Sequence, residues 1–285
     1  MYNTRIAPSP TGDMHLGTAR TAYFNWLVAR STGGKFFLRI DDTDVDRNDE
    51  SKVDDIYQIM DWLKLDYDRV YRQSDYLDDY LAAAKRLVIY DLANQLDDGA
   101  IVFNTQVLGF SSWHDEIAGD IAVGDQDLDY IKDMVLIKSN GYPTYNFANV
   151  VDDIRLNINY VIRGTDHIKN TAKQLVLYRK YGLAFPKYAH LGLLTKDKKK
   201  LSKRDGAASM LAYRDAGINP DAMLNFMLRL GWGPTVDDKS TAVISKEKAL
   251  EMFLSQGKMK SSPANIDLQK LESFDRKYKG RLLGG

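Results

Sequence analysis

Near its start the chain reads Arg5-Ile-Ala-Pro-Ser-Pro-Thr-Gly-Asp-Met-His-Leu-Gly-Thr18. The apolar character of residues 3–7 predicts a strand, and a helix is predicted over residues 19–29. Two prolines and a glycine between them stiffen the backbone and turn it sharply. This turn presents side chains above the first turn of the helix, where unpaired N–H groups and the helix dipole favour an anion. His15 and Thr18 add donors there, so the stretch fits a nucleotide phosphate site.

Two phosphate-binding fingerprints are absent from this turn. It has neither the G-x-x-x-x-G-K-[ST] pattern nor the G-x-G-x-x-G pattern of other nucleotide-binding families. An ordinary strand–helix turn, in which His15 merely caps the helix, is the alternative interpretation. The turn alone does not choose between the two.

Bulk composition excludes several classes of protein. Lys plus Arg and Asp plus Glu both total 39, so binding to a nucleic acid must depend on a local basic patch. The absence of cysteine excludes disulfides and thiolate zinc sites. The sequence contains neither a long apolar run nor a basic-then-apolar N-terminus. We therefore expect a soluble, cytoplasmic protein without a membrane partner.

An acidic segment follows the second predicted strand. Residues 35–40 form a nearly continuous apolar run, typical of a buried parallel strand, and Asp41-Asp-Thr-Asp-Val-Asp46 comes directly after it. Alternating Asp residues resemble the start of a calcium loop, but Arg47 stands where glycine is needed and Val53 where Glu is needed. We predict no metal site here. Acidic residues at the carboxyl end of a strand instead suit a ligand crevice in an open α/β sheet.

The rest of the chain alternates predicted helices and strands, which favours an α/β fold. Residues 101–137 read as short β pieces between turns, as in a small inserted module. Residues 196–204 form a basic loop, for which a solvated charged turn is the simpler interpretation. The other predicted strands are 143–151, 160–163 and 189–194, and the other predicted helices are 50–65, 75–97, 169–181, 210–216, 220–230, 246–254 and 268–278.

Two distant stretches resemble the paired signatures of class I aminoacyl-tRNA synthetases. His15-Leu-Gly-Thr18 resembles the "HIGH" signature, and Lys200-Leu-Ser-Lys-Arg204 resembles "KMSKS". Several further stretches resemble the glutamate-specific branch. They are Arg5–Gly12, Arg39–Asp44, Pro143–Tyr145, Asn149–Asp153, Val161–Arg163, Leu224–Phe226 and Gly231–Trp232. Both signatures, in order, with these stretches around them, identify the chain as a member of the glutamyl-tRNA synthetase family.

The resemblance implies a Rossmann-like parallel-sheet domain split by a short insertion and followed by a helical domain. Residues 1–74 and 142–203 would be the two halves of the catalytic domain, and 75–141 a shortened insertion that grips the acceptor end of tRNA. Residues 204–285 would form the stem-contact domain. We expect no anticodon-binding domain and no structural zinc, in either a natural minimal form or a truncated one.

The implied activity is formation of glutamyl adenylate from L-glutamate and ATP, with Mg²⁺ carried by ATP, followed by transfer to tRNA. Catalysis would fall to His15, Thr18, Lys200, Lys203 and Arg204. The resemblance also implies a set of ATP-binding residues, several of them in the basic loop. These are His15, Gly17, Asp166, His167, Leu194, Lys200, Leu201, Ser202 and Lys203.

Glutamate recognition needs cations for two carboxylates and an acceptor for the ammonium group, and guanidinium groups bind carboxylates in bidentate fashion. By resemblance the glutamate site comprises Arg5, Ala7, Ser9, Asp41, Tyr145, Asn149 and Arg163. Arg5 is assigned to the side-chain carboxylate and Asp41 to the ammonium. Position 41 is usually Glu in the bacterial glutamate branch, whereas Asp is familiar in glutamine-specific relatives. Arg5 argues against glutamine, since an amide would leave it unpaired.

Three other functions remain as alternatives. A short paralogue attaches glutamate to the queuosine base of a tRNA, although that group usually has a degraded second signature and a zinc site. Activated glutamate could also pass to a non-tRNA acceptor. A non-catalytic tRNA-binding relative is the third, and it would have no physical need for His15, Lys203 and Arg5. The expected partners are L-glutamate and the acceptor end of tRNA, with the protein a monomer.

Overall fold

The computed structural model describes residues 1–104, 112–124, 127, 131–132, 134–196, 199–200, 209–234 and 243–283. The strands are β1 (Thr4–Ile6), β2 (Phe36–Ile40), β3 (Arg69–Arg72), β4 (Ala93–Gln95), β5 (Ile101–Phe103), β6 (Ser112–Asp115), β7 (Gly119–Ala122), β8 (Val135–Ile137), β9 (Tyr160–Gly164), β10 (Lys187–Leu191), β11 (Leu194–Lys196), β12 (Lys199–Lys200), β13 (Trp232–Pro234), β14 (Gly257–Met259) and β15 (Ala264–Asn265). The helices are α1 (Leu16–Ser31), α2 (Glu50–Trp62), α3 (Leu77–Ile89), α4 (Tyr145–Arg155), α5 (Ile168–Lys180), α6 (Met210–Asp215), α7 (Pro220–Arg229), α8 (Lys246–Met252) and α9 (Leu268–Leu283).

The central sheet consists of two parallel halves that meet side by side. In one half β2 pairs with β1 and β3, and in the other β10 pairs with β9 and β6. At the junction, β1 and β9 are joined by N–H groups of Asn159 and Tyr160, which donate to the carbonyl of Asn3 over 3.2 and 3.3 Å. The spatial order therefore reverses between β1 and β9, and open α/β sheets bind ligands at such a reversal.

Helix α1 packs against strands of both halves and is buried on most sides. Ala19 and Ala22 have no exposed surface, and their small side chains let the helix approach the sheet closely. Asn25 fixes the junction, because its side chain donates to the carbonyl of Ile162 over 3.0 Å. The backbone carbonyl of Asn25 in turn accepts from the Thr4 hydroxyl over 2.8 Å. One helix thus holds β1 and β9 in register.

The prediction of a strand over residues 143–151 was wrong, because this segment begins helix α4. Phe147, Val150 and Ile154 follow a helical spacing, and the first two are fully buried. The apolar run also contains polar residues that a buried strand interior would not match. Asp152 and Asp153, just beyond it, are buried on the same helix and point to the centre of the protein.

The predicted helix over residues 75–97 is shorter than expected. Helix α3 ends at Ile89, and Asp91 has a positive φ of 57° that breaks the helical path. The chain then continues as β4, which pairs with β5. Neither glycine nor proline occurs at this end of the helix, so Asp91 takes the left-handed conformation instead.

The β-rich segment between the two predicted halves divides between two locations. Strands β4, β5 and β8 form a small sheet, whose core includes side chains of α3 and α4. The β6–β7 hairpin instead extends the central sheet, with Asp115 opposite Tyr188 of β10. The predicted module of residues 75–141 therefore contributes strands to the central sheet, while its boundaries as a tRNA-contacting insertion stay a prediction.

The C-terminal helices occur close to their predicted positions. Pro220 occupies the first turn of α7, and the Asn219 side chain caps it by accepting from the N–H of Asp221 over 2.8 Å. Asp275 of α9 accepts from the N–H of Asn219 over 2.8 Å, which ties the two helices together. Helix α7 also packs against α1, so this region shares the main core. None of the helices in the described residues is both long enough and apolar enough to cross a bilayer.

Candidate active site

A cleft of about 690 Å³ lies at the junction of the two sheet halves, beside the N-terminus of α1. Its walls come from the carboxyl ends of β1, β2 and β9 and from the first turn of α4. Every predicted site residue outside the basic loop lines it. These residues are Arg5, Ala7, Ser9, His15, Gly17, Thr18, Asp41, Tyr145, Asn149, Arg163, Asp166, His167 and Leu194. The structure therefore gathers these predicted residues in one place, while their individual roles stay predictions.

The first signature forms the N-terminal cap of α1. Nδ1 of His15 accepts from the N–H of Thr18 over 3.4 Å. Gly17 lies beneath the imidazole, where a Cβ would come within 3.2 Å of two ring atoms and would require the ring to shift. His15 therefore caps the helix and also lines the cleft. Capping of the helix does not exclude a role for His15 in the cleft.

The residues on either side of the basic segment lie near the cleft. Strands β11 and β12 form a hairpin in which Thr195 pairs with Lys200. On the far side of the segment, Ser209 forms a bridge to His15, and the N–H of Met210 donates to the carbonyl of Met14 over 3.0 Å. The predicted residues Leu201, Ser202, Lys203 and Arg204 and the side chain of Lys200 lie outside the described residues. Both flanks of the second signature are nevertheless fixed close to the first.

One wall of the cleft is a buried network of charged side chains. Arg5, 4 % exposed, donates from Nε and Nη2 to the carboxylate of Asp153 over 3.0 and 3.2 Å, and from Nη2 to Asn149 over 3.3 Å. Arg39, fully buried, donates to both carboxylate oxygens of Asp41 over 2.6 and 3.1 Å and to Asp153 over 2.9 Å. Arg5 is thus already paired with a carboxylate of the protein.

A third carboxylate completes this wall. Asp152 lies 3.7 Å from Nε of Arg39 and accepts from the Tyr80 hydroxyl over 2.7 Å and from Gln73 over 2.6 Å. Burial raises the pKa of Asp152 to about 6 despite Arg39 and these donors. Burial likewise raises the pKa of Asp41, with Arg39 opposing the shift. With all three carboxylates ionised, the network has more negative than positive charge, which favours a cationic group such as an ammonium beside Asp41.

The opposite wall contains Arg163, which is 5 % exposed. Its Nε donates to Nε2 of His190 over 3.2 Å, and its Nη2 donates to the Thr171 hydroxyl over 2.6 Å. The guanidinium also lies 5.3 Å from the ring centre of Tyr188. Nη1 is buried without a hydrogen-bond partner, and no carboxylate in the described part of the chain forms an ion pair with Arg163. A buried cation without a counter-ion is costly, so this wall favours an anionic ligand.

The turn after β9 adds a carboxylate and an imidazole to the cleft. The Asp166 carboxylate folds back over Gly164, where a Cβ would lie only 2.4 Å from Oδ1. Burial, followed by the charge of Arg163, lowers the pKa of His167 to about 4, so the ring is neutral at physiological pH. Its Nδ1 lies 3.4 Å from the hydroxyl of Tyr145. A neutral imidazole and a carboxylate can both hydrogen-bond a nucleoside.

Sequence reasoning missed several residues of the site. Arg39 was detectable, because a charged residue within the apolar run Phe36–Ile40 signals a buried ion pair. Arg20 gave no such signal on its helix. It lies in the cleft wall and donates to the carbonyls of Leu230 and Gly192 over 2.7 and 2.8 Å, and burial lowers its pKa to about 10. Arg20 thereby joins the first signature helix to the C-terminal region.

Comparison with known families shows which family this chain belongs to. A family model described as "tRNA synthetases class I (E and Q), catalytic domain" matches residues 1–98 and 102–278. The chain belongs to this family. The resemblance stated from the two signatures is therefore confirmed, and so is the Rossmann-like α/β fold of this family.

Named members of the family align with 80 to 98 % of the chain. Glutamate–tRNA ligase 1 of Rubrobacter xylanophilus is 41 % identical over 284 residues, which is 98 % of this chain and 64 % of the relative. The glutamate–tRNA ligase of Syntrophobacter fumaroxidans is 41 % identical over 80 % of this chain and 56 % of the relative. The chain therefore spans roughly three fifths of the length of these two relatives.

A solved structure of the family superposes on the same residues. It is a glutamate tRNA ligase from Elizabethkingia meningosepticum in complex with its amino acid. The match has a TM-score of 0.84 and 27 % sequence identity, and it covers 97 % of this chain and 69 % of that one. The fold is thus shared over 97 % of this chain.

Proposed function

We propose that this chain activates L-glutamate with ATP and transfers it to the 3′-terminal adenosine of a tRNA. One observation carries the proposal. Ser209, which follows the basic signature, bridges to His15 of the first signature, at the edge of a cleft whose far wall offers the unpaired cation Arg163. This brings together a phosphate site and a carboxylate site. The names of the family members given above also support it.

We assign the triphosphate to the α1 side of the cleft. His15, Gly17 and Thr18 lie at the helix N-terminus, where backbone N–H groups and the dipole favour phosphate. Lys200, Lys203 and Arg204, with Leu201 and Ser202, would approach the phosphates from the basic loop, and Mg²⁺ would arrive as part of the ATP substrate. Asp166, His167 and Leu194 would hold the nucleoside. These groups supply positioning and positive charge, the main protein contributions to phosphoryl chemistry.

Glutamate would lie between the two charged walls. Arg163 would bind one carboxylate, and Arg5 would contribute its remaining N–H groups to the other. Asp41 would bind the ammonium, and Ala7, Ser9, Tyr145 and Asn149 would complete the pocket. The Ser9 hydroxyl donates to the backbone carbonyl of Asp41 over 2.8 Å, so the turn after β1 and the acid after β2 keep a fixed separation.

The chemistry proceeds in two displacement steps. The α-carboxylate oxygen of glutamate attacks the α-phosphorus of ATP, an acyl–phosphate bond forms, and pyrophosphate leaves with the electrons of the broken P–O bond. A ribose hydroxyl of the tRNA then attacks the acyl carbonyl, losing its proton, and AMP leaves. Charge develops on phosphate oxygens in the first step, so N–H groups at the helix N-terminus and cations of the basic loop would lower that barrier.

The family relation also suggests which regions contact tRNA and where the protein acts. We propose that the strands of residues 75–141 contact the acceptor end of tRNA and that residues 204–285 contact its stem. The protein would act in the cytoplasm, as a monomer, with residues 1–74 and 142–203 as the catalytic halves. No step requires a metal held by the protein itself.

The test is ATP–pyrophosphate exchange with Glu, Gln and Asp, each with and without tRNA. We expect exchange with glutamate, and no exchange with any of the three in the presence of tRNA would remove the activity. Lys203→Ala should slow exchange strongly and leave glutamate binding nearly intact. Lys198→Ala, in the same basic run but outside the predicted set, is the matched control. Equal rates for wild type and Lys203→Ala would show that Lys203 is not catalytic.

A second assay identifies the acceptor. Labelled glutamate should become attached to intact tRNA and not to tRNA whose terminal ribose has been oxidised with periodate. Label retained on oxidised tRNA would indicate modification of a base instead. Exchange without any labelling of tRNA would indicate a non-tRNA acceptor, and tRNA binding without exchange would indicate a non-catalytic relative.

A further inference from the structure

The guanidinium of Arg163 is held by a chain of buried groups that reaches into the β6–β7 hairpin. His190 of β10 lies between Arg163 and Asp115, and both His190 and Asp115 are fully buried. Nδ1 of His190 is 2.7 Å from Oδ2 of Asp115, and Nε2 accepts from Nε of Arg163 over 3.2 Å. The hydroxyl of Thr171 lies 3.0 Å from the same Nε2 and accepts from Nη2 of Arg163.

These contacts fix the tautomer of His190. Nε of an arginine has a single hydrogen and can only donate, so Nε2 of His190 must be unprotonated and the proton must be on Nδ1. That proton points at Asp115, whose carboxylate also accepts from the N–H groups of Ile117 and Ala118 over 3.0 and 2.8 Å. Burial alone would raise the pKa of Asp115, but the His190 and backbone hydrogen bonds outweigh it and lower the pKa.

We propose that Asp115 and His190 are positioning residues, which hold Arg163 in the orientation that binds a carboxylate of the amino-acid substrate. Asp115 sets the tautomer of His190. Among the described residues, the lone pair on Nε2 of His190 is the acceptor for Nε of Arg163. With Nε and Nη2 engaged, the partnerless Nη1 is the group left for the ligand. Tyr188, which stacks on His190 at 6.1 Å and lies under the guanidinium, closes the other side.

Asp115 also connects the β6–β7 hairpin to Arg163 through His190. Asp115 is the last residue of β6, and the turn that leads to β7 binds its carboxylate through the backbone N–H groups of Ile117 and Ala118. Movement of the β6–β7 hairpin would therefore move His190 and Arg163 with it. The inference rests on the proposed function, because it assigns Arg163 to the substrate carboxylate.

The deciding variant is Asp115→Asn. The Asn oxygen can still accept from Ile117 and Ala118, but its amide would donate to Nδ1 of His190 and drive the proton to Nε2. Two donors, Nε2–H of His190 and Nε–H of Arg163, would then face each other. We expect the KM for glutamate to rise by about 10- to 100-fold, as for loss of a hydrogen bond to a charged group, with the KM for ATP nearly unchanged. An unchanged KM for glutamate would overturn the proposal.

The same hairpin provides the matched control. Asp120 and His114 form a second carboxylate–imidazole pair at the same 2.7 Å distance, but their side chains are 81 % and 63 % exposed. Asp120→Asn should leave both KM values unchanged. A rise in the KM for glutamate in Asp120→Asn equal to that in Asp115→Asn would indicate a general effect of the hairpin and would also overturn the proposal.

A further pair of variants covers the case in which Asp115→Asn does not fold. His190→Gln retains an acceptor near the position of Nε2, whereas His190→Leu removes it. We expect His190→Gln to keep most of the glutamate affinity and His190→Leu to lose it, while equal KM values would contradict the positioning role.

Nitrogen-15 NMR of the imidazole groups tests the tautomer directly, and the protein has only 4 histidines to assign. We expect His190 to be protonated at Nδ1 in wild type and at Nε2 in Asp115→Asn. Protonation at Nε2 in wild type would overturn the proposal. This measurement needs no substrate, so it separates failure of the inference from failure of the proposed function, which absence of exchange by wild type would reveal.

Discussion

The two arginine-bearing walls of the cleft are buried to the same degree, but they differ in net charge. The excess charge is negative on one wall and positive on the other. On the β1–β2 side, Arg5 and Arg39 share the carboxylates of Asp41, Asp152 and Asp153. On the β9–β10 side, Arg163 has neutral partners, His190 and Thr171, and one partnerless nitrogen. Exposure does not distinguish the walls, since Arg5 is 4 % and Arg163 5 % exposed.

The difference indicates what each wall does. A guanidinium paired with carboxylates of the protein is satisfied before the substrate arrives, so much of its interaction energy goes to the fold. A guanidinium with neutral partners keeps its full charge for a ligand. We therefore infer that Arg163 contributes more than Arg5 to binding of a carboxylate, although the resemblance assigned the side-chain carboxylate to Arg5.

The largest expected effect is on stability, through Arg39→Met. Methionine retains most of the volume, but Asp41 and Asp152 would lose their cation inside the protein. Breaking a buried ion pair by removing one partner costs roughly 3 to 5 kcal/mol, and we expect a loss of that order in the free energy of unfolding. Urea denaturation measures it, with Arg163→Met as the control that should lose far less. Equal losses in the two variants would break the comparison between the walls.

Arg163→Met should have the largest effect on activity. We expect kcat/KM for glutamate to fall by about 100-fold, which corresponds to about 2.7 kcal/mol of lost transition-state binding. Its urea midpoint should stay near that of wild type, because no carboxylate of the described residues is left unpaired. Pyrophosphate exchange at varied glutamate concentration gives the kinetic values. An active but unstable variant would reverse the assignment of the two walls.

The smallest expected effect is on the pH dependence of stability in Asp152→Asn, which tests the charge of the β1–β2 wall. Burial raises the pKa of Asp152 from 3.8 to about 6, so this group stabilises the fold below its unfolded pKa and loses that contribution as pH rises through the folded pKa. Wild type should therefore gain stability relative to Asp152→Asn between about pH 7 and pH 4, by roughly 2 kcal/mol. Urea unfolding at both pH values measures this, with Asp120→Asn as an exposed control. If stability depended on pH in the same way in wild type and Asp152→Asn, the pKa of Asp152 would not be raised in the folded protein.

The sequence predicted the location of the site better than its internal pairing. His15, Arg5 and Asp41 were identified because strand ends and a helix start are local features, and in a parallel sheet such ends meet at one edge. The partners Asp153 of Arg5 and Asp115 of His190 lie 148 and 75 residues away along the chain, and no local pattern reveals such pairs. The apolar run of residues 143–151 has a length that suits either a strand or a buried helix, so its pattern could not exclude the helix that forms there.

The sequence by itself determined the α/β class and the placement of His15 and Asp41 beside a ligand crevice, because these depend on local spacing and turn chemistry. The two signatures and most of the other predicted site residues came from the resemblance of short stretches to a known family. Only the tertiary structure decided which cation is already neutralised. Charge balance inside a protein depends on distances of a few ångströms between side chains from distant segments. Burial in a low dielectric increases the electrostatic energy of each such contact. Arg5 and Arg163 have the same residue type and nearly the same exposure, yet their different neighbours give them different roles.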